Sequence, residues 1–182
     1  MSDRPDLELV LPACTVRDYR PGDAPSLAKH ANDKRIWLNM RDAFPHPYAL
    51  ANGEAFIAHA MAARPRTHLA IAVEGDVVGG IGYTLHRDVE RVGVEIGYWL
   101  GVAFWGRGIM PQALSATTEF IWRAHPDLRR IWAVPYAHNA ASARVLERAG
   151  YTFEGRLRQS AIKDGQVCDQ LLYAIVRDEL SR

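Results

Sequence analysis

Glu95 is the carboxylate with the most room around it. In Val92-Gly93-Val94-Glu95-Ile96-Gly97-Tyr98-Trp99-Leu100, strand alternation puts Gly93, Glu95, Gly97 and Trp99 on one face and Val92, Val94, Ile96 and Tyr98 on the other. Glycine weakens a strand, so two of them around one acid point to close approach by a ligand. The chemistry open to Glu95 is general-base catalysis, taking a proton from a bound nucleophile. A plain ion pair with Arg91 is the alternative. Just downstream, Phe104-Trp105-Gly106-Arg107-Gly108-Ile109-Met110 leads into a helical run with Pro111 in its first turn. Unpaired N–H groups and the positive end of a helix dipole make such a loop a cradle for an anion such as phosphate, unless it is only a turn. It is not a P-loop, because Ile109 and Met110 replace the Lys-Ser/Thr pair. It is not a dinucleotide fingerprint either, because Pro111 stands where Gly or Ala is needed. Asn139 and Ser142 form a further set: Asn139 suits a helix N-cap, and Ser142, one turn in, faces the same way. Either could reach a ligand, or serve only the helix.

These residues need elements to position them. The sequence predicts a strand over 13–19, a helix over 24–31, an irregular proline-broken stretch over 36–48 and a helix over 50–63. Strands follow at 68–73 and 77–85, joined by a Glu74-Gly75-Asp76 turn, and a third at 92–100 carries Glu95. A helix over 112–122, a strand over 130–134 and a helix over 140–149 stopped by Gly150 come next. Two strands, 151–162 and 167–176, meet at Lys163-Asp164-Gly165 and close the chain. This order predicts an α/β fold with a mixed sheet and helices packed on it. Residues 1–11 read as a loose arm, and 12–182 as one domain.

Composition narrows the function. The 182 residues are 48% apolar and 24% charged, with a formal net charge of +1, which suits a soluble domain with a full core and no nucleic-acid surface. Cys14 and Cys168 have no metal or redox spacing, and the seven histidines form no ligand set, so no metal is expected. With no apolar run near membrane length and no signal-peptide pattern, a cytoplasmic protein is expected, free of membrane.

Gly97-Tyr98-Trp99-Leu100, Phe104 to Met110, Asn139-Ala-Ala-Ser142 and Glu147-Arg148-Ala149-Gly150-Tyr151, in this order and spacing, resemble a GNAT-fold N-acetyltransferase. The RimJ/RimL-like group, which acetylates ribosomal-protein N-termini, is the nearest. Phe44-Pro45-His46-Pro47-Tyr48 and the tail from Ile162 to Tyr173 add to the likeness, which spans the chain from Cys14 onward. The resemblance implies a mostly antiparallel sheet splayed into a V, with helices on both faces and acetyl-CoA in the opening. Backbone groups of Tyr98, Trp99 and Leu100 would hold the pantetheine arm. Amides of Trp105, Gly106, Arg107, Gly108, Ile109 and Met110 would hold the pyrophosphate, and Asn139 would bond the arm. Glu95 would be the base. Many members place Tyr seven residues after the motif Asn to protonate the departing thiolate; here that position is Leu146, so either the role passes to Ser142 or no acid is needed, CoA thiolate being a tolerable leaving group near neutral pH. The acceptor is expected beside Trp37, Phe44, His46 and Tyr48. It would be a peptide or protein N-terminus, or alternatively a small amine such as a polyamine, amino acid or antibiotic. A non-catalytic acetyl-CoA-binding module is the remaining alternative, and a monomer or homodimer is expected.

Overall fold

Strand-forming runs along the chain build one eight-stranded sheet in a computed structural model that describes residues 6–177. The strands are β1 (Glu8–Val10), β2 (Thr15–Arg17), β3 (His68–Val73), β4 (Asp76–Leu85), β5 (Gly93–Leu100), β6 (Arg130–Ala133), β7 (Thr152–Lys163) and β8 (Gln166–Val176). Their spatial order is β1-β2-β3-β4-β5-β6-β8-β7. Every pairing is antiparallel except β5 with β6. The helices are α1 (Ala24–Ala31), α2 (Lys34–Trp37), α3 (Leu50–Ala62), α4 (Ile109–Ala124) and α5 (Ala140–Arg148).

The central strands read as near-continuous apolar runs because both their faces are covered. On one face Val78, Ile81, Val94 and Ile96 pack with Ile109, Leu114 and Ile121 of α4 and Leu146 of α5. On the other, Ala70, Val77 and Trp99 pack with Leu27, Ile36 and Ile57 of the first three helices. The two hairpin turns, Glu74-Gly75 and Asp164-Gly165, take positive φ at both residues, which matches the twist of the flanking strands.

Three elements differ from the sequence expectation. Glu8–Val10, inside the stretch expected to be a loose arm, pairs with β2 from Glu8↔Arg17 to Val10↔Thr15. The Leu7 amide also donates to Asp18 Oδ2 at 2.9 Å. Three residues are too few to show a period, so a pairing made by its partner is invisible in sequence. The same holds for α2, capped by Asp33, whose side chain accepts from the Arg35 amide at 2.8 Å. Helix α4 begins at Ile109, three residues before Gln112, so Pro111 lies inside the first turn, where no N–H is needed.

The feature that positions the site is a fork. β5 pairs with β4 along its length, from Leu85↔Val94 to Gly79↔Leu100. On its other side it meets β6 over only three residue pairs, ending at Glu95↔Trp132. Beyond that point the chain after β6 stays with β8: Leu171 N–H donates to Pro135 O at 2.9 Å and Ala137 N–H to Asp169 O at 2.8 Å. Ile96 to Leu100 therefore form one arm of a V, and Val134 to Asn139 the other.

Candidate functional site

A cavity of about 1430 Å³ runs through the fork. At one end it is lined by Trp105 to Pro111 and by the start of α5; at the other it reaches Asn39, Met40, Arg41, Ala43, Phe44, Pro45 and α3, with Glu95 to Leu100 along its wall.

Gly108 caps α4 in the left-handed conformation (φ 72°), and no side chain caps the helix. Gly106 is left-handed too (φ 74°), and a Cβ on either glycine would meet nothing within 4 Å. The loop thus turns where only glycine is unstrained and leaves its first-turn N–H groups for a ligand. Two contacts hold it in place. The Trp105 indole Nε1 donates to Leu100 O at 2.7 Å, and the Arg107 guanidinium lies 5.1 Å from the centre of the Phe104 ring. Trp105, Gly106, Arg107, Gly108, Ile109 and Met110 all line the cavity, as do Tyr98, Trp99, Leu100 and Asn139.

Glu95 faces the cavity opposite Thr84, next to the cross-strand pair Gly82↔Gly97. That pair leaves part of the sheet without side chains. The two glycines flanking Glu95 are not equivalent. A Cβ on Gly97 would meet nothing within 4 Å, whereas one on Gly93 would come within 2.4 Å of Trp132 Cζ3. Gly93 is therefore set by indole packing, which corrects the expectation of open space on both sides of Glu95. Its carboxylate is also paired, to the Arg41 guanidinium. Arg91, the partner considered from sequence, donates instead to Asp88 O at 2.7 Å.

Asn139 does cap α5, its Oδ1 accepting from the Ser142 amide at 3.0 Å. The Ser142 hydroxyl lies 2.8 Å from the Tyr98 hydroxyl. This contact joins α5 to β5 across the fork. Burial keeps the Tyr98 phenol protonated, raising its pKa, with Ser142 pulling weakly the other way. Leu146 is fully buried in the core.

Phe44 and Tyr48 line the cavity, their rings tilted against each other with centres 5.1 Å apart, and Phe44 lies 5.7 Å from Trp99. Burial pushes the Tyr48 phenol up to about 12. Trp37 and His46, expected beside the acceptor, are not among the residues that line the cavity. They pack on each other, ring centres 5.8 Å apart, and the Trp37 ring lies 3.8 Å below the Lys163 ammonium. Lys163, buried, also holds Asp42 at 2.9 Å.

Sequence reasoning missed Arg41, Tyr19 and His86 in the lining. The Tyr19 hydroxyl and His86 Nε2 are buried without a hydrogen-bond partner. A period-two reading of β4 would have put Gly80, Gly82 and Thr84 on the Glu95 face and found His86 beyond them. Nothing local marks Arg41, which meets Glu95 across 54 positions.

The two thiols lie outside the cavity lining. Burial pushes the Cys14 thiol up to about 11, which removes it as a nucleophile at neutral pH.

A family model described as an acetyltransferase (GNAT) domain matches residues 14–152. The chain belongs to the GNAT acetyltransferase family. Among curated GNAT relatives, the ribosomal-protein-serine acetyltransferase of Escherichia coli (strain K12) is 31% identical over 105 residues, 58% of each chain. The chain spans 56 to 63% of the first three curated relatives it matches. Among solved structures, RimJ of Mycobacterium smegmatis, in complex with CoA-disulfide, superimposes with a TM-score of 0.81 at 26% identity, covering 97% of this chain and 89% of that one. A GNAT-family acetyltransferase from Bacillus anthracis gives 0.81 at 20% identity, with 94% and 99% covered; that likeness is one of fold. Among the described residues no helix is long and apolar enough to cross a membrane.

Proposed function

We propose that this GNAT chain transfers acetyl from acetyl-CoA to the α-amino group of a peptide or protein N-terminus. The observation that carries the reading is the fork: an open strand edge at Ile96 to Leu100 that leads straight into an uncapped helix N-terminus. An extended polar arm pairs with the first, and a pyrophosphate suits the second. Arg107, Arg144 and Arg148 line the same end of the cavity and suit further phosphate charge. Asn139, its Oδ1 engaged in the cap, keeps its amide NH₂ for the arm.

Acetyl-CoA supplies an activated thioester; the chain supplies the proton handling. Glu95 takes the proton of the attacking amine. An α-amine, with a pKa of about 7.7–8.0 against about 10.4 for lysine, gives up that proton far more readily. Tyr98, protonated throughout, donates to Ser142 Oγ and leaves the serine O–H free to meet the departing sulfur.

A peptide suits the acceptor end better than a polycation, which needs carboxylates to offset its lost hydration. Among the described residues, Glu95 is the one carboxylate that lines the cavity. Of the other nearby acids, Asp42 is held by Lys163 and Asp169 by Arg156. The apolar wall formed by Phe44 and Tyr48 suits an extended chain, and the ribosomal-protein acetyltransferase relative acts on a protein.

The test is mass spectrometry of a panel incubated with acetyl-CoA: short peptides, their N-blocked lysine-containing analogues, spermidine, an aminoglycoside and free amino acids. Free-N-terminus peptides are expected to be acetylated fastest. A small amine ahead by tenfold or more in kcat/KM overturns the peptide reading, and no turnover with any amine overturns transfer itself. Glu95→Gln is expected to lower kcat/KM by about 10²–10⁴ at pH 7, with the deficit shrinking at high pH where the amine is already neutral. Wild-type turnover in that variant removes Glu95 as the base.

A further inference from the structure

Charge is distributed unevenly along the cavity. Among the described residues, five arginines line it, against the single carboxylate of Glu95. Arg107, Arg144 and Arg148 lie at the loop end, leaving Arg35 and Arg41 at the acceptor end. Arg35 is neutralised within its own helix, its Nε and Nη2 on the two oxygens of Asp33 at 3.0 and 2.6 Å. Arg41 has Glu95, through a single Nη2–Oε1 contact.

The backbone around Arg41 is held from both sides. Met40 O accepts from the Tyr136 hydroxyl at 3.4 Å, and Asp42 is held by Lys163 at 2.9 Å. Both ties come from the far side of the V. The Arg41 side chain itself is 74% exposed, against 24% for Glu95. Its position is therefore fixed at the backbone and free at the guanidinium, and an ion pair so exposed is weak.

That pair is at odds with the proposed chemistry. The Arg41 guanidinium occupies Oε1 of Glu95, so Arg41 and the acceptor amine compete for the same carboxylate. An arriving ammonium alone would set two cations on one carboxylate. An acceptor that brings its own anion gives Arg41 a new partner and keeps the charges balanced. We infer that Arg41 is a specificity-determining residue that binds a carboxylate side chain at the first or second position of the acceptor peptide, and that this exchange releases Glu95 to act as the base. The reach is short: Arg41 lies against the group that meets the amine, and one extended residue advances the chain only about 3.3 Å. The inference rests on the acetyl-transfer reading with Glu95 as base.

The experiment uses C-terminally amidated hexapeptides that differ only at the second residue (Asp, Asn or Lys), a matched pair differing at the first (Asp or Asn), and free serine. Each is assayed with acetyl-CoA against the wild type, Arg41→Gln and Arg41→Glu. The wild type is expected to prefer Asp over Asn by tenfold or more in kcat/KM at one of the two positions, with Lys the poorest. Arg41→Gln is expected to flatten the series, and Arg41→Glu to place Lys above Asp. Acetyl-CoA affinity, read by calorimetry, stays within twofold in both variants, because Arg41 is remote from the phosphate end. Equal use of Asp, Asn and Lys by the wild type, or a ranking unchanged in Arg41→Glu, overturns the inference while leaving acetyl transfer standing. Free serine outrunning every peptide overturns the side-chain carboxylate in favour of an α-carboxylate. No transfer to any amine brings down the underlying reading as well.

Discussion

Gly93 and Gly97 are two residues either side of Glu95, alike in sequence and unlike in what they tolerate. A Cβ at position 93 runs into the Trp132 ring at 2.4 Å, and one at 97 meets nothing. Gly93→Ala is expected to lower stability by about 1–3 kcal/mol, the usual range for overpacking a core, read as a fall in the thermal midpoint. Gly97→Ala is expected to leave the midpoint within a degree or two and to raise the acceptor KM, because its methyl stands on the bare part of the sheet beside the base. The opposite ranking overturns both assignments. The facing of Glu95 was legible because alternation is local. Its neighbours were not: Trp132 and Arg41 arrive through pairing and through a loop, and neither leaves a periodic trace. Asn139 shows the favourable case, since its partner is the amide of Ser142, three residues on.

Among the elements, those whose period runs over several turns or pleats were readable, and those made by a partner were not. α3, α4 and α5 and the long strands β3, β4, β5, β7 and β8 all carry their own signal, whereas β1 and α2 have three and four residues. The glycine-rich entrance to α4 gave itself away through composition. Its charge preference can be separated from its backbone demand. Gly108 is left-handed, a conformation that Asn and Asp tolerate better than other residues. Gly108→Asn and Gly108→Asp therefore share the strain and differ in charge. Acetyl-CoA binding, measured by calorimetry, is expected to be at least tenfold weaker in the Asp variant than in the Asn variant, about 1.4 kcal/mol. Equal affinities would leave the entrance as a turn and nothing more. From the end of α2 into the α2–α3 loop, the contacts had no local trace: Trp37 packs on His46 and lies under Lys163, which comes from the far hairpin.

At the scale of the whole molecule, mild acid is expected to loosen the fold through its half-buried histidines. Burial lowers the pKa of His30, His68 and His125, with Lys29 adding to the effect at His30 and His59 at His68. A base with a depressed folded pKa binds fewer protons folded than unfolded near the ordinary value of about 6.5. Stability is then full above that value and falls as pH drops below it. The thermal midpoint is expected to decrease from pH 7 to pH 5, and replacing His68 by Phe to shrink the decrease; a flat profile refutes this. A mixed sheet with helices packed on it could be read from the succession of elements, whereas the V came only from the family resemblance, because the fork is defined by where β5 and β6 stop pairing. That fork has a consequence for how the protein behaves among other chains. An unpaired strand edge on a surface recruits strands from neighbouring molecules and seeds aggregation. Here the edge from Ile96 to Leu100 lies at the bottom of a cleft, with α4 and α5 on one side and the α2–α3 loop on the other. A foreign strand must find room there for side chains on both its faces, while a slender unbranched chain need not. The molecule can thus keep a sticky edge permanently exposed in the middle of its sheet and remain dispersed in a crowded solution.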